Sequence, residues 1–302
     1  MSKTVLILGA SGKIGRHSQQ AFSRAGWQVR PYDRQAGNMT AQAAGADVIV
    51  NGLNPPKYHD WERQIPAITR AVVDAARTTG ATVIIPGNVY NLDSRGGEWS
   101  ESTLHQPPTK KGRIREDMER AYEASGVRTV ILRAGNFIDP DHNDDVMSLL
   151  FLRDIKRRNV TVAGDALALQ AYCFLPDWAR AAASLAEIRS TLAPFEDIPF
   201  PGHSFTAEHL CELLSAELGY PLSTKPFPWW LFQALRPFWE LAREMLEMRY
   251  LWSTSHSLAA SKFNRLLPDF RATPLRDVLR AALPDDLRAE LPAQGSGLLT
   301  QP

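Results

Sequence analysis

Three glycines spaced three residues apart lie near the start of the chain. Gly9, Gly12 and Gly15 stand between an apolar run rich in β-formers, residues 4–8, and a segment with helical apolar spacing, residues 13–25. A glycine turn between a strand and a helix lets an anion approach the backbone, where N–H groups and the helix dipole meet it. The pattern therefore predicts a dinucleotide-binding turn, although its spacing is not the more common G-x-G-x-x-G. The predicted cofactor-binding residues of this turn are Gly9, Ser11, Gly12, Lys13, Ile14 and Gly15, with Gly12 at the pyrophosphate.

Two charged residues follow the second predicted strand. Asp33 and Arg34 come directly after residues 28–32, Gln-Val-Arg-Pro-Tyr. In dinucleotide-binding folds an acidic side chain here bonds the ribose hydroxyls of NAD, whereas an arginine accepts the 2′-phosphate of NADP. The sequence supplies both, so either NAD or NADP is expected, with a slight preference for NAD. The alternative is that both are solvated turn residues.

Strands and helices alternate along the first part of the chain. The other predicted strands are 47–50, 82–85, 127–133 and 172–175, and the predicted helices are 61–79, 110–125 and 176–189. This alternation predicts an α/β protein with a Rossmann-type doubly wound parallel sheet, whose ligands bind at the carboxyl ends of the strands. Residues 34–47 are too few for a full helix-strand-helix unit, so one strand is expected to be missing.

Polar residues follow the strand 82–85. Asn88 and Tyr90 lie where a substrate would bind, and formation of a turn is their alternative role. The helix 110–125 then places Lys111, Arg115 and Glu119 on one face at i, i+4 spacing. Taken by itself, this trio is typical of a surface salt-bridge ladder.

The composition changes near residue 193. We predict a Rossmann domain over 1–192, a small and mainly helical C-terminal substrate lobe over 193–291, and a flexible tail over 292–302. Residues 141–165 of the Rossmann domain are expected to contribute to the substrate lobe. In the second half, helices are predicted over 146–157, 205–218 and 274–283.

The aromatic segment 231–252 has the spacing of a helix. It is predicted to pack on the main domain, and a lid or a dimer face are the alternatives. Charged residues interrupt the segment, which disfavours attachment to a membrane.

Bulk properties exclude several classes of partner. The 302 residues carry a net charge of +1, which gives no reason to expect nucleic acid or an anionic membrane. Cys173 and Cys211 form neither a disulfide framework nor a metal-ligand pattern, so no metal is expected and a cytoplasmic location fits best. The expected partner is a small-molecule substrate, with a homodimer as a further option.

These motifs together resemble the short-chain dehydrogenase/reductase superfamily, in the extended or atypical branch related to NAD-dependent epimerases and dehydratases. The resemblance rests on the glycine turn, on Asp33 and on four short runs. These runs are Gly-Asn-Met-Thr (37–40), Asn-Val-Tyr (88–90), Leu-Arg-Ala-Gly-Asn-Phe-Ile-Asp-Pro (132–140) and Tyr-Cys-Phe-Leu-Pro-Asp (172–177). It implies further cofactor contacts from Asn38, Met39, Asn51, Gly52, Leu53, Pro86, Gly87 and Arg115. Substrate contacts are implied for Asn136, Phe137 and His142.

The family acts through a Tyr-x-x-x-Lys pair and an upstream serine, and none of the three is present. Aligned on the helix 110–125, the tyrosine position falls at Lys111, the lysine at Arg115 and the serine at Pro86 or Asn88. Arg115 keeps the positive charge and is able to bind the cofactor ribose.

Three readings of the chemistry stay open, with Lys111, Tyr90 and Asn88 as catalytic candidates. In the first, Lys111 replaces the tyrosine, provided that burial or nearby cations favour its neutral form. In the second, Tyr90 supplies the hydroxyl. In the third, there is no redox chemistry. The expected function is an NAD(P)-dependent oxidoreductase, epimerase or dehydratase for a small carbonyl or sugar-like substrate. The alternative is a non-catalytic NAD(P)-binding sensor.

Overall fold

The structure of the protein is a computed structural model, which describes residues 3–141 and 145–291. The strands are β1 Thr4–Leu8, β2 Gln28–Pro31, β3 Val48–Asn51, β4 Thr82–Gly87, β5 Gly97–Trp99, β6 Thr129–Arg133, β7 Asn136–Ile138, β8 Asn159–Val162, β9 Gln170–Phe174, β10 Phe195–Pro199, β11 His203–Phe205, β12 Ser223–Pro226 and β13 His256–Leu258. The α-helices are α1 Lys13–Arg24, α2 Met39–Ala43, α3 Trp61–Thr79, α4 Lys110–Ala124, α5 Leu175–Glu187, α6 Ala207–Leu218, α7 Trp229–Leu235, α8 Glu240–Glu247, α9 Ser261–Leu266, α10 Leu275–Ala282 and α11 Asp285–Glu290.

The centre of the fold is a six-stranded parallel sheet with the order β2-β1-β3-β4-β6-β10. Successive residues of β1 point to opposite faces. Val5 and Ile7 pack with α1 and α5, whereas Leu6 and Leu8 pack with α3 and α4. Because helices cover both faces, β1 is buried at every residue. The predicted doubly wound Rossmann-type fold is confirmed.

The connection from β2 to β3 is unusually short. It contains only the five-residue helix α2, and β2 is left at the edge of the sheet. The prediction of a missing strand in this part of the chain is therefore confirmed.

The last strand of the sheet is not the predicted one. Residues 172–175 were expected in the central sheet, but β9 pairs with β7 and β11 in a separate three-stranded sheet. A Cβ on Gly135 would lie 2.1 Å from the carbonyl oxygen of Ala171, so this glycine lets the chain after β6 approach β9.

The sixth position of the sheet belongs to β10, which pairs with β6. Its sequence Phe-Glu-Asp-Ile-Pro is half-buried at an edge, so it lacks the apolar run that marks a buried strand. The sheet thus extends past the boundary predicted at residue 192. The division into two domains stays a prediction.

Two predicted helices of the second half are broken. Residues 146–157 contain a π-helical turn, Met147–Phe151, and a 3₁₀ turn, Ile155–Arg157, instead of one α-helix. The segment 231–252 divides into α7, α8 and a 3₁₀ turn, with Pro237 after α7, because proline cannot continue a helix.

The helix predicted over 205–218 has the caps that its sequence indicates. Thr206 accepts the N–H of His209 at 3.0 Å at the start of α6, and Gly219 ends this helix in a left-handed conformation. In the ranges 3–141 and 145–291, no helix has the length and apolar character required to cross a membrane.

Candidate functional site

The turn after β1 brings backbone atoms very close together. Gly9 has φ +70°, a conformation that favours glycine. A Cβ on Gly15 would lie 2.2 Å from the carbonyl oxygen of Gly9, so a side chain there would push α1 away from the turn. Gly12 precedes α1, and no side chain of the described residues caps this end. The first turn of α1 therefore presents its backbone donors and the positive end of its dipole to an anion.

The carboxyl end of β2 carries Asp33 and Arg34, and both are exposed. The Asp33 carboxylate accepts the N–H of Gln35 at 2.8 Å, while the Gln42 side chain bonds the backbone N–H and C=O of Asp33 at 3.0 and 2.7 Å. Asn38 caps α2 by accepting the N–H of Ala41 at 2.8 Å. This loop is held by its own side chains, with both charged residues at the surface.

The ends of β3 and β4 contribute backbone more than side chains. The Asn51 amide donates to the Tyr122 hydroxyl at 3.2 Å and accepts the N–H of Leu53 at 3.1 Å. A Cβ on Gly52 would lie 2.9 Å from the Leu8 carbonyl oxygen, and one on Gly87 would lie 2.6 Å from the Ile131 side chain. Met39 and Leu53 pack against the core, and Pro86 is half-buried.

Two tyrosine hydroxyls meet at the carboxyl edge of the sheet. Tyr58 lies in the loop after β3 and Tyr90 follows β4, and their Oη atoms are 3.2 Å apart. The Tyr58 ring packs edge-on against Trp61 at 5.0 Å. Burial, together with the neighbouring Tyr90 hydroxyl, raises the pKa of Tyr58 well above its ordinary value. Tyr58 therefore stays a neutral phenol that is able to donate a hydrogen bond to Tyr90.

The backbone that carries Tyr58 is strained. Lys57, Tyr58 and Asp60 have φ angles of +53°, +63° and +48°, although none is glycine. Such a conformation costs roughly 1–2 kcal/mol per residue. The loop is nevertheless held in place, since its Pro55 carbonyl accepts the Trp61 indole N–H at 3.1 Å. Strain of this kind persists where the surrounding structure fixes the backbone, and the fixed backbone here carries Tyr58.

Arg115 has a donor with no partner among the residues that the structure describes. Its guanidinium lies 5.4 Å from the ring of Trp61, and its Nη1 contacts the Met118 sulfur at 3.4 Å. Nε is buried and has no hydrogen-bond partner in the described part of the chain. Burial lowers the pKa of Arg115, but an arginine remains a cation at neutral pH. A buried cation with an unused donor fits a ligand oxygen.

Lys111 is not the exposed residue that a surface ladder would require. Only 2% of it is exposed, and its Nζ bonds the Glu247 carboxylate at 2.6 Å and that of Glu244. Its backbone N–H also donates to Glu247 at 2.9 Å. Glu119, the third member of the trio, is buried and bonds Arg133 instead. The ladder interpretation is wrong, and two carboxylates, not cations, lie next to Lys111.

Asn88 shapes the turn that carries Tyr90. Its Oδ1 accepts the N–H of Tyr90 at 3.0 Å, and its carbonyl oxygen accepts a hydrogen bond from the Arg133 guanidinium. Arg133 is buried and also bonds the carboxylates of Glu119 at 2.7 Å and Asp197 at 2.6 Å. Burial alone would lower the pKa of Arg133, but these carboxylates raise it above its ordinary value. A fully charged guanidinium therefore holds the end of β4.

The predicted substrate contacts lie after β6. Asn136 and Phe137 belong to β7 and are half-buried, and the Phe137 ring lies 6.5 Å from the Trp178 ring. His142 lies outside the described residues.

Solved structures share this architecture over nearly the whole chain. A structure of MoeE5 in complex with UDP-glucose and NAD has a TM-score of 0.73 at 17% identity, over 92% of this chain and 97% of that one. A UDP-glucuronic acid 4-epimerase from Bacillus cereus, in complex with UDP-glucuronic acid and NAD, has a TM-score of 0.72 at 14% identity, over 92% and 97%. A dTDP-4-dehydrorhamnose reductase from Clostridium acetobutylicum has a TM-score of 0.69 at 14% identity, over 92% and 98%. The chain shares the fold of these three structures.

No family model matches the sequence, and no curated protein matches it either. The fold that the resemblance implies is confirmed by these structures.

One residue of the candidate site was not predicted from the sequence. Tyr58 lies just after the run Asn54-Pro55-Pro56, at the carboxyl end of β3. Since ligands in this class of fold bind at such ends, the loop was a candidate by position. Its pairing with Tyr90, 32 positions away, is a tertiary contact without a sequence motif.

Proposed function

We propose that the chain is an NAD(P)-dependent oxidoreductase, epimerase or dehydratase, acting at a hydroxyl or carbonyl group of a small sugar-like substrate. The observation that carries the proposal is the hydroxyl pair of Tyr58 and Tyr90, 3.2 Å apart at the carboxyl edge of the sheet. It supplies the phenol that is absent at Lys111. The nucleotide sugars bound to structural neighbours support a sugar-like substrate.

The residues present fit a dinucleotide. Gly9, Gly12 and Gly15 form a cradle that side chains would fill, at the N-terminus of a twelve-residue helix. Arg115, in the position of the family lysine, has a buried Nε without a partner among the described residues and would bind a ribose oxygen. The exposed Asp33 would bind the ribose hydroxyls of the adenosine.

The proposed chemistry needs one proton carrier. When bound, the nicotinamide supplies or accepts the hydride. The Oη of Tyr90 takes the proton of the substrate hydroxyl during oxidation and returns it to the carbonyl oxygen during reduction. Tyr58, which stays neutral, is able to donate a hydrogen bond to the Tyr90 oxygen and so to orient it.

Cofactor binding is the first test. Calorimetric titration with NAD, NADH, NADP and NADPH is expected to show selective binding, and Gly12→Val should weaken it by at least about tenfold, which is roughly 1.4 kcal/mol. The reason is that a side chain at residue 12 blocks the approach to the backbone, where even a Cβ lies 3.3 Å from the Gly9 oxygen. Ser23→Val, exposed on the same helix, is the matched control. Binding of none of the four would remove the proposal.

The preference between NAD and NADP depends on Asp33 and Arg34. Asp33→Ala is expected to weaken NAD by roughly tenfold and to affect NADP less, because a carboxylate binds ribose hydroxyls and repels a phosphate. Parallel titrations of this variant and Arg34→Ala measure the ratio of the two affinities. An unchanged ratio in both variants would show that neither side chain contacts the adenosine ribose.

A non-catalytic NAD(P)-binding sensor is the second candidate. The observation in its favour is that the position of the family tyrosine holds Lys111, bound between Glu244 and Glu247. Cofactor binding is common to both candidates. Hydride transfer in the presence of a substrate, followed at the nicotinamide absorbance, separates them.

A further inference from the structure

An unusual aromatic surface lies on the lobe. The hairpin of α7 and α8 exposes Trp230, Leu231, Phe238 and Trp239, with exposed fractions of 74%, 39%, 89% and 40%. We call these four residues the aromatic face. They make up four of the seven large apolar side chains that are exposed in the described ranges, and they lie within ten consecutive positions. Soluble monomers rarely concentrate exposed apolar side chains in this way unless the surface binds something.

In the fold, the charges around the aromatic face are less balanced than the sequence suggests. Along the chain, three glutamates of α8 interrupt the apolar segment. In the fold, Glu244 and Glu247 bond the buried Lys111, and Glu240 bonds the Nδ1 of His59 at 3.0 Å. Glu244 and Glu247 are therefore directed toward the main domain, whereas the Glu240 side chain is still 46% exposed.

Two of the three exposed charges of the hairpin are basic. Arg236 and Arg243 are both exposed, as is Glu240, and the guanidinium of Arg243 donates to the carbonyl oxygen of Arg236 at 3.4 Å. Arg236 lies between the two exposed pairs of apolar residues in the sequence. The surface therefore combines aromatic side chains with an excess of positive charge.

We propose that the aromatic face binds the surface of an anionic phospholipid membrane. Tryptophan and phenylalanine insert at the boundary of headgroups and acyl chains, while arginines bind lipid phosphates. Such binding occurs in the plane of the surface and needs no spanning helix. A second copy on this face would bring like charges together in an isologous contact, so the charge pattern favours lipid over a dimer.

The hairpin that carries the aromatic face contacts the loop of Tyr58. Glu240 bonds His59, which adjoins Tyr58 in the sequence. The membrane contact would thus lie beside the loop that carries one of the paired hydroxyls. The inference does not depend on the proposed chemistry, since binding to lipid is measured without cofactor or substrate.

Sedimentation with vesicles tests the proposal. The full chain is expected to pellet with vesicles of mixed phosphatidylserine and phosphatidylcholine, and much less with phosphatidylcholine alone. Trp230→Ser/Phe238→Ser should lower the partition coefficient by at least about tenfold, because both side chains are exposed and provide the apolar insertion. Arg236→Gln/Arg243→Gln should lower it by roughly thirtyfold on the anionic vesicles only.

The matched control is Leu104→Ser, which removes another side chain that is 74% exposed, outside the hairpin. It should leave binding unchanged, and circular dichroism should be the same for all variants. Absence of binding to anionic vesicles would overturn the proposal. If the protein is instead a dimer that Trp230→Ser/Phe238→Ser dissociates, the aromatic face belongs to a second copy.

Discussion

Replacing Tyr90 by phenylalanine is expected to lower turnover about 10²–10⁴-fold, the range for loss of a positioned proton carrier. The substitution removes only the hydroxyl, so the ring and its packing stay. Affinity for the cofactor should remain within about twofold, because the variant acts on the chemical step and not on binding. The measurement is the rate of hydride transfer with a substrate found by screening carbonyl compounds and sugar nucleotides. Tyr220→Phe, the same chemical change in the lobe, is the control.

The Tyr58 hydroxyl, which pairs with that of Tyr90, provides a second test of the same step. Tyr58→Phe should have a smaller effect than Tyr90→Phe, since Tyr58 acts through the 3.2 Å hydrogen bond to Tyr90. Once Tyr90 is phenylalanine, the further loss of the Tyr58 hydroxyl should cost almost nothing, which is the non-additivity expected for groups that act as a unit. Two independent, multiplying effects would contradict the pair. Full activity of the double variant would exclude both hydroxyls from the reaction.

The central sheet was largely predictable because its signals are local. The apolar run of β1, the helical spacing of α3 and the glycine turn between β1 and α1 each lie within one continuous stretch of chain. Thus β1 and α3 were predicted with the bounds that the structure shows. Gly15 is informative for the same reason, since its contact with Gly9 is only six positions away.

The errors arose where partners are distant in the sequence. The spacing of Lys111 and Glu119 on α4 suggested pairs within the helix, but their charged partners are on α8 and at the end of β6. Similarly, β10 has no apolar run because it is an edge strand, and only its pairing with β6 identifies it. A charge pattern along a helix does not show which charges the rest of the fold neutralises.

The glutamates of α8 illustrate this point for function. Read along the chain, they argued against a membrane, because charged residues interrupt the apolar segment. In the fold they bond Lys111 and His59, and the arginines are left beside the aromatic face. The same residues therefore support opposite conclusions in the sequence and in the structure.

Arg133→Met is expected to lower the free energy of unfolding by about 3–5 kcal/mol, because it leaves buried carboxylates without their cation. Arg133 is 1% exposed and bonds Glu119 at 2.7 Å and Asp197 at 2.6 Å. Urea unfolding at neutral pH measures the change. Arg77→Met breaks an exposed pair with Asp74 and should cost no more than about 0.5 kcal/mol, which makes it the matched control.

A second substitution distinguishes loss of charge pairing from loss of packing. Adding Glu119→Gln to Arg133→Met should restore part of the stability, since a neutral amide no longer requires a cation. If the double variant is as unstable as the sum of the two single ones, the carboxylates were not the cause. Because Arg133 also bonds the Asn88 carbonyl, the rescued protein should still turn over slowly: Asn88 fixes the turn that positions Tyr90, and methionine provides no donor to hold it.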